Sequence, residues 1–140
     1  MNDQNAPYEI ATTVDLPFDL AVQATRDELA REGFGILTEI DVAATLKKKL
    51  DADFRPYVIL GACNPPLAHR ALLAERDIGL LLPCNVIVYA ADEEGKSVVA
   101  AMDPIAGLSL AKNDLVAPIA REAEGRLRRV IARLREGSPA

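Results

Sequence analysis

Apolar residues switch between two spacings along this chain, and the switches mark its elements. From Tyr8 to Val14 hydrophobic and polar positions alternate loosely and β-branched residues recur, which predicts a first strand. The spacing then lengthens: Phe18, Ala21, Val22, Thr25 and Leu29 share one face of a helix. Asp15 and Pro17 suit its start, and Gly33 suits the left-handed residue that ends it. Phe34 to Ile40 predicts a second strand. Asp41 is placed to cap a short helix with Val42, Leu46 and Leu50 on one face. Lys47, Lys48 and Lys49 in its last turn complement the negative end of the helix dipole. A third strand runs from Arg55 to Cys63 around Val58, Ile59 and Leu60.

Asn64, Pro65 and Pro66 interrupt the pattern, and because proline tolerates the first helical turn, a third helix is expected from Pro66 to about Glu75. Ile78 to Ala91 is strongly apolar and broken at Pro83, which predicts extended chain on both sides, firmest from Asn85 to Ala91. Asp92 to Gly95 has the composition of a hairpin turn, and Lys96 to Met102 completes the hairpin. A loop follows to Lys112. The final helix carries an unbroken apolar stripe from Leu115 and Val116 through Leu127 to Leu134, with Glu122–Arg126 and Glu124–Arg128 at the supporting i, i+4 spacing. The order β-α-β-α-β-α-β-β-α, ending in a hairpin, predicts an α+β fold. Its expected form is a mixed or antiparallel sheet of about five strands with helices packed on it. One domain is expected over residues 8–136, with flexible ends at 1–7 and 137–140.

Composition narrows the partners. Half of the 140 residues are hydrophobic but only 4% are aromatic and none is Trp, so Val, Ile, Leu and Ala must build the core. So few rings make a poor platform for stacking bases. Acidic residues outnumber basic ones, 21 to 16, for a net charge of −5. That balance opposes binding to nucleic acid or to an anionic membrane surface. No apolar run reaches membrane-spanning length and the first residues do not form a signal peptide, so a cytoplasmic protein with reduced thiols is expected. The glycine-rich phosphate loops and the nucleophile elbow are both missing.

Candidate chemistry concentrates in two segments, Gly61-Ala62-Cys63-Asn64-Pro65 and Leu82-Pro83-Cys84-Asn85-Val86. The two cysteines are either small buried hydrophobes or reactive thiols; their spacing matches no C-x-x-C redox motif. A simple strand-helix-strand path would put Cys84 at the opposite end of the sheet from Cys63. If the chain instead returns between Ile78 and Leu82, the two come side by side. Asn64 suits a helix cap. Asn85 lies in an apolar run, where a buried amide must find a backbone or ligand partner. His69, the one histidine, reads first as a helix-surface or core-edge residue and no metal is expected; a Cys63–Cys84–His69 set for zinc or copper is the lesser alternative, since it lacks standard ligand spacing. Asp103 before Pro104 is a turn former or a group that orients a ligand.

Together with Gly33-Phe34 upstream and Asp103-Pro104 downstream, these two segments resemble the family called domain of unknown function 302, over about Thr12 to Leu134. The matching residues are Gly33, Phe34, Cys63, Asn64, Pro65, Pro83, Cys84, Asn85, Asp103 and Pro104. The resemblance implies a small α+β domain that forms homodimers, and it brings no agreed activity and no cofactor.

With no general base beside the two dipeptides, the expectation is a homodimeric, non-catalytic module that binds or senses a small molecule. Its ligand-binding residues would be Cys63, Asn64, Cys84, Asn85 and Asp103, with no cofactor. Two alternatives stand beside it: a redox, sulfur-transfer or soft-metal protein using Cys63 and Cys84, and a structural protein-interaction domain.

Overall fold

The computed structural model describes residues 6–137. Five strands, β1 (Glu9–Val14), β2 (Gly35–Asp41), β3 (Tyr57–Cys63), β4 (Cys84–Ala90) and β5 (Ser97–Met102), form one sheet in the order β1-β5-β4-β3-β2. Every neighbouring pair is antiparallel. The helices are α1 (Phe18–Arg31), α2 (Val42–Leu50), α3 (Pro65–Ala74), α4 (Pro104–Leu108) and α5 (Ala117–Glu136). The fold is α+β, with the antiparallel form of the expected sheet.

Strand alternation builds the main core. Ile10 and Val14 of β1, Val99 and Ala101 of β5, Val86 and Val88 of β4, and Val58, Leu60 and Ala62 of β3 all enter one apolar cluster. Against them pack Ala21 and Leu29 of α1 and Leu127, Val130, Ile131 and Leu134 of α5. A second cluster lies beyond it, made by Leu67 and Ala71 of α3, Ile78, Leu108, and Val116 through Ala123 at the start of α5. Thus α5 spans both cores, which explains why its stripe is the longest in the sequence.

Helix ends follow local chemistry. The α1 helix closes in a Schellman motif: Phe34 N–H donates to the Leu29 carbonyl at 2.9 Å and Gly33 N–H to that of Ala30 at 3.0 Å. Gly33 has φ +83°, the left-handed conformation this motif needs. Asp41 caps α2 as expected, accepting from Ala44 N–H at 2.9 Å. At α1 it is Pro17 that occupies the cap position, without a side-chain bond, while the Asp15 carboxylate pairs with Lys96 at 3.0 Å.

Two expected elements change. The stretch expected as extended chain before Pro83 is a 3-10 turn at Arg76–Leu81. It delivers a single buried side chain, Ile78, to the second core and leaves Leu80 exposed, which a tight helical turn achieves and strand alternation would not. The loop expected after Met102 contains α4 and a 3-10 turn at Ser109–Ala111. Asp103 accepts from Ile105 N–H at 2.9 Å and Pro104 fills the first helical position, so the residues read as a chain break start a helix.

An irregularity in β2 shapes the sheet end. Ile36 pairs with Ala62 and Thr38 with Gly61, so Leu37 is an extra residue in a β-bulge. Opposite it, a Cβ on Gly61 would collide with Thr38 Oγ1 and lie 3.0 Å from Pro83 Cγ. Gly61→Ala is therefore expected to destabilise the fold by about 1–3 kcal/mol, the usual cost of overpacking, measured by urea denaturation. Gly35→Ala, where a Cβ meets open space, is the control.

Candidate functional site

The chain that leaves β3 at Cys63 returns to the same end of the sheet through α3 and the 3-10 turn, and enters β4 at Cys84. Antiparallel pairing sets Cys84 opposite Ala62. The side-by-side arrangement of the two cysteines is therefore the one adopted. They are neighbours offset by one residue rather than a directly opposed pair, and both are free.

Asn64 fixes the turn between them. Its Oδ1 accepts from Leu67 N–H at 3.3 Å and caps α3, while its Nδ2 donates to the Glu32 carbonyl at 3.3 Å. A Cβ on Gly33 would stand 3.1 Å from that Nδ2, so glycine also makes room for the contact. The same Glu32 carbonyl accepts from Arg126 Nη1 at 3.1 Å. The Glu32 carboxylate is bound by Arg129 at 3.0 Å and by Arg133 at 2.9 Å. Arg133 reaches Glu28 as well, at 2.6 Å. Glu32 thus joins the end of α1 to α5 and, through Asn64, to the start of α3. The Arg129 guanidinium, followed by that of Arg133, holds the Glu32 carboxyl below its ordinary value against the opposing effect of burial.

Where the two cores meet they leave a pocket of about 280 Å³. Phe34 and Ala62 border it from the main core; Leu67, Ala71, Leu108, Ile119 and Ala123 border it from the second. The opening arises because α3 and α5 present alanines, Ala71 and Ala123, where longer side chains would close the gap. Cys63, Asn64, Pro83 and Cys84 form the wall at the sheet end. Leu37, 66% exposed, and Leu72, 43% exposed, line the pocket and reach solvent, which places them at its mouth.

Of the five residues expected to bind a ligand, Cys63, Asn64 and Cys84 therefore border one pocket. The other two lie elsewhere. Asn85 is exposed and pairs with Gly61 across the strands, so the buried amide expected in that apolar run is not there. Asp103 caps α4 and stands 3.9 Å from Arg128. His69 is on the exposed face of α3 and is not part of the pocket wall. Among the described residues no group of three or more His, Cys, Asp or Glu is placed to hold a metal ion. Likewise no helix among them is long and apolar enough to cross a membrane.

The sequence profile described as "Domain of unknown function DUF302" matches residues 10–134, which is most of the chain. The chain belongs to the DUF302 family. Its structure is similar to the crystal structure of an uncharacterized conserved DUF302 protein from Bacillus stearothermophilus, with a TM-score of 0.84 and 30% sequence identity. The match covers 93% of this chain and 100% of that one. No curated protein matches the sequence. In this DUF302 domain seven of the ten residues that carried the resemblance gather at one corner: Phe34, Cys63, Asn64, Pro83 and Cys84 border the pocket, Gly33 supports Asn64, and Pro65 begins α3, whereas Asn85, Asp103 and Pro104 lie outside the pocket wall.

Burial pushes the Cys84 thiol up from 9.0 to about 11, with a further contribution from Cys63 nearby. At neutral pH Cys84 is thus an uncharged S–H group. Cys63 is partly exposed and Cys84 buried. Iodoacetamide at pH 8 should label Cys63 first and leave Cys84 protected in the folded protein, as read by peptide mass spectrometry. An unfolded chain carries Cys84 at an ordinary thiol value, so between pH 9 and about 11 it loses a proton that the folded state keeps. Stability should fall with rising pH across that window, and Cys84→Ala should flatten the fall.

The sign reverses for Glu32. Its lowered value means that the stabilisation is present above the ordinary carboxylate range and is lost as pH falls through the folded value. Glu32→Gln should cost about 1.5–3 kcal/mol at pH 7, the range for hydrogen bonds to charged groups. It should also give a shallower acid limb than the parent in denaturation curves taken from pH 7 to 3.

Proposed function

We propose that this domain is a non-catalytic module that binds a small apolar molecule in the pocket between its two cores. The observation that carries the reading is the wall itself: about 280 Å³ of space bordered almost wholly by apolar atoms, mainly of leucine and alanine side chains, at the sheet end where most of the family's matching residues gather. A pocket of this kind, mostly apolar with a few polar atoms, is the usual form of a small-molecule site. Counting about 30 Å³ for each water-sized group, it has room for roughly nine non-hydrogen atoms.

Turnover is not supported by the groups at the wall. A general acid or base has to lie within hydrogen-bonding reach of the reacting atom. Here both amide atoms of Asn64 are engaged in structural bonds, and the buried thiol of Cys84 keeps its proton far above neutral pH. The same shift weighs against thiolate chemistry at Cys84.

Indole, with nine non-hydrogen atoms, is a suitable probe because the chain has no tryptophan to obscure its emission. Saturable binding with a blue-shifted spectrum is expected. Leu72→Glu at the mouth and Ala71→Phe inside should each weaken it by about tenfold or more, equivalent to at least 1.4 kcal/mol. Leu72 is part exposed, so that variant should keep its fold, as checked by circular dichroism. Absence of saturable binding to the parent protein overturns the reading.

A further inference from the structure

We infer that the pocket selects uncharged ligands and turns away anions, although a helix begins at its wall. This rests on the binding role just proposed and concerns the ligand's charge. The amino end of a helix ordinarily draws an anion, because its first amides point outward unpaired and the dipole is positive there. The α3 helix begins at Asn64, beside the two thiols, and its residues Leu67, Ala68, Ala71 and Leu72 border the cavity. An acyl carboxylate or a phosphate would be the natural guest of such an end.

The sequence Asn64-Pro65-Pro66 strips this helix start of most of its free amides. Pro65 and Pro66 have no N–H to donate. The Leu67 N–H is taken by Asn64 Oδ1 at 3.3 Å, and the Ala68 N–H by the Asn64 carbonyl at 2.9 Å. Each of the first four helical positions is therefore either without a donor or already bonded. The Asn64 side-chain Nδ2 is bonded to the Glu32 carbonyl.

The rest of the wall offers nothing in exchange. Among the described residues that border the cavity there is no Lys, Arg, His, Asp or Glu. The arginines of the neighbouring corner bind Glu32 and Glu28 instead. A charged headgroup drawn in here would give up its water without a compensating partner, which is strongly unfavourable. The class of ligand that fits is a neutral, hydrocarbon-rich molecule of roughly nine non-hydrogen atoms: an alcohol, a ketone, an ester or a small ring system rather than a fatty acid, an amine or a phosphorylated metabolite.

The test compares three probes of one chain length, 1-octanol, octanoate and octylammonium, by calorimetric titration of the full chain at pH 7.5. Octanol is expected to bind about tenfold or more tightly than either ion. Octanoate binding as tightly as octanol overturns the inference and leaves the binding role intact. If none of the three binds, the binding role falls and the inference with it. Pro66→Ala restores one donor at the helix start, and octanoate affinity should rise several-fold while octanol is unchanged. No gain for octanoate in that variant overturns the part assigned to the prolines.

Discussion

A helix that ends inside a fold must hand its last carbonyls to other groups, because nothing further along the helix can bond them. In this domain the requirement falls on Glu32, where α1 stops. The Schellman turn at Gly33 bends the chain so sharply that the Glu32 carbonyl faces away from its own helix, toward Asn64 and Arg126. Its side chain meanwhile takes Arg129 and Arg133. Three helices are thereby tied at one residue, with a direct tie of charge between α1 and α5 and a neutral one to α3. The position of α3 over the sheet end, and so the shape of the cavity beneath it, depends on that knot holding.

The cavity is a consequence of two cores that touch without merging. Strand alternation fixes the main core, and α5 is long enough to leave it and serve the second. Where the helix crosses from one to the other its inward residue is Ala123, and across from it α3 offers Ala71. Small side chains at such a crossing usually let helices approach; here space remains beside them. Domains of this size close such gaps readily, since each unfilled methyl-sized void costs stability. The gap is therefore an informative departure from ordinary packing.

Much of the architecture was legible in the sequence because period and punctuation agreed. The switch from alternation to helical spacing at Phe18, the glycine at position 33 and the stripe from Ile119 to Leu134 each had one simple reading, and the structure follows it; Leu115, read into the same stripe, is exposed and precedes the helix. Apolar runs without a clear period were harder. Residues 78–82 are as hydrophobic as a strand, but only Ile78 is fully buried; Leu81 and Leu82 pack at the edge of the second core and Leu80 faces solvent. The site was visible in part. Cysteine and asparagine draw attention by their chemistry, so Cys63, Asn64 and Cys84, which border the pocket, were singled out, and Asn85 was drawn in with them although strand alternation turns it outward. Ala71, Ala123 and Leu37 have no chemistry to notice, and their part in the wall depends on which helices cross. Glu32 could have been suspected from its place just before a glycine that ends a helix. Its partners lie about a hundred positions further along, at Arg129 and Arg133, and no local pattern links them.

The bulge in β2 has one more consequence, for the life of the chain among other chains. As the outermost strand beyond β3, β2 is open to solvent along one side. An uninterrupted row of backbone donors and acceptors there would invite a second chain to add itself as a further strand, and from such pairing aggregates grow. The extra residue at Leu37 breaks the row partway along, and Glu39 and Asp41 place carboxylates on what remains. The register fault that carries Leu37 at the pocket mouth also makes the border of the sheet a poor template, so the molecule can expose an apolar residue there without offering the strand beneath it for polymerisation.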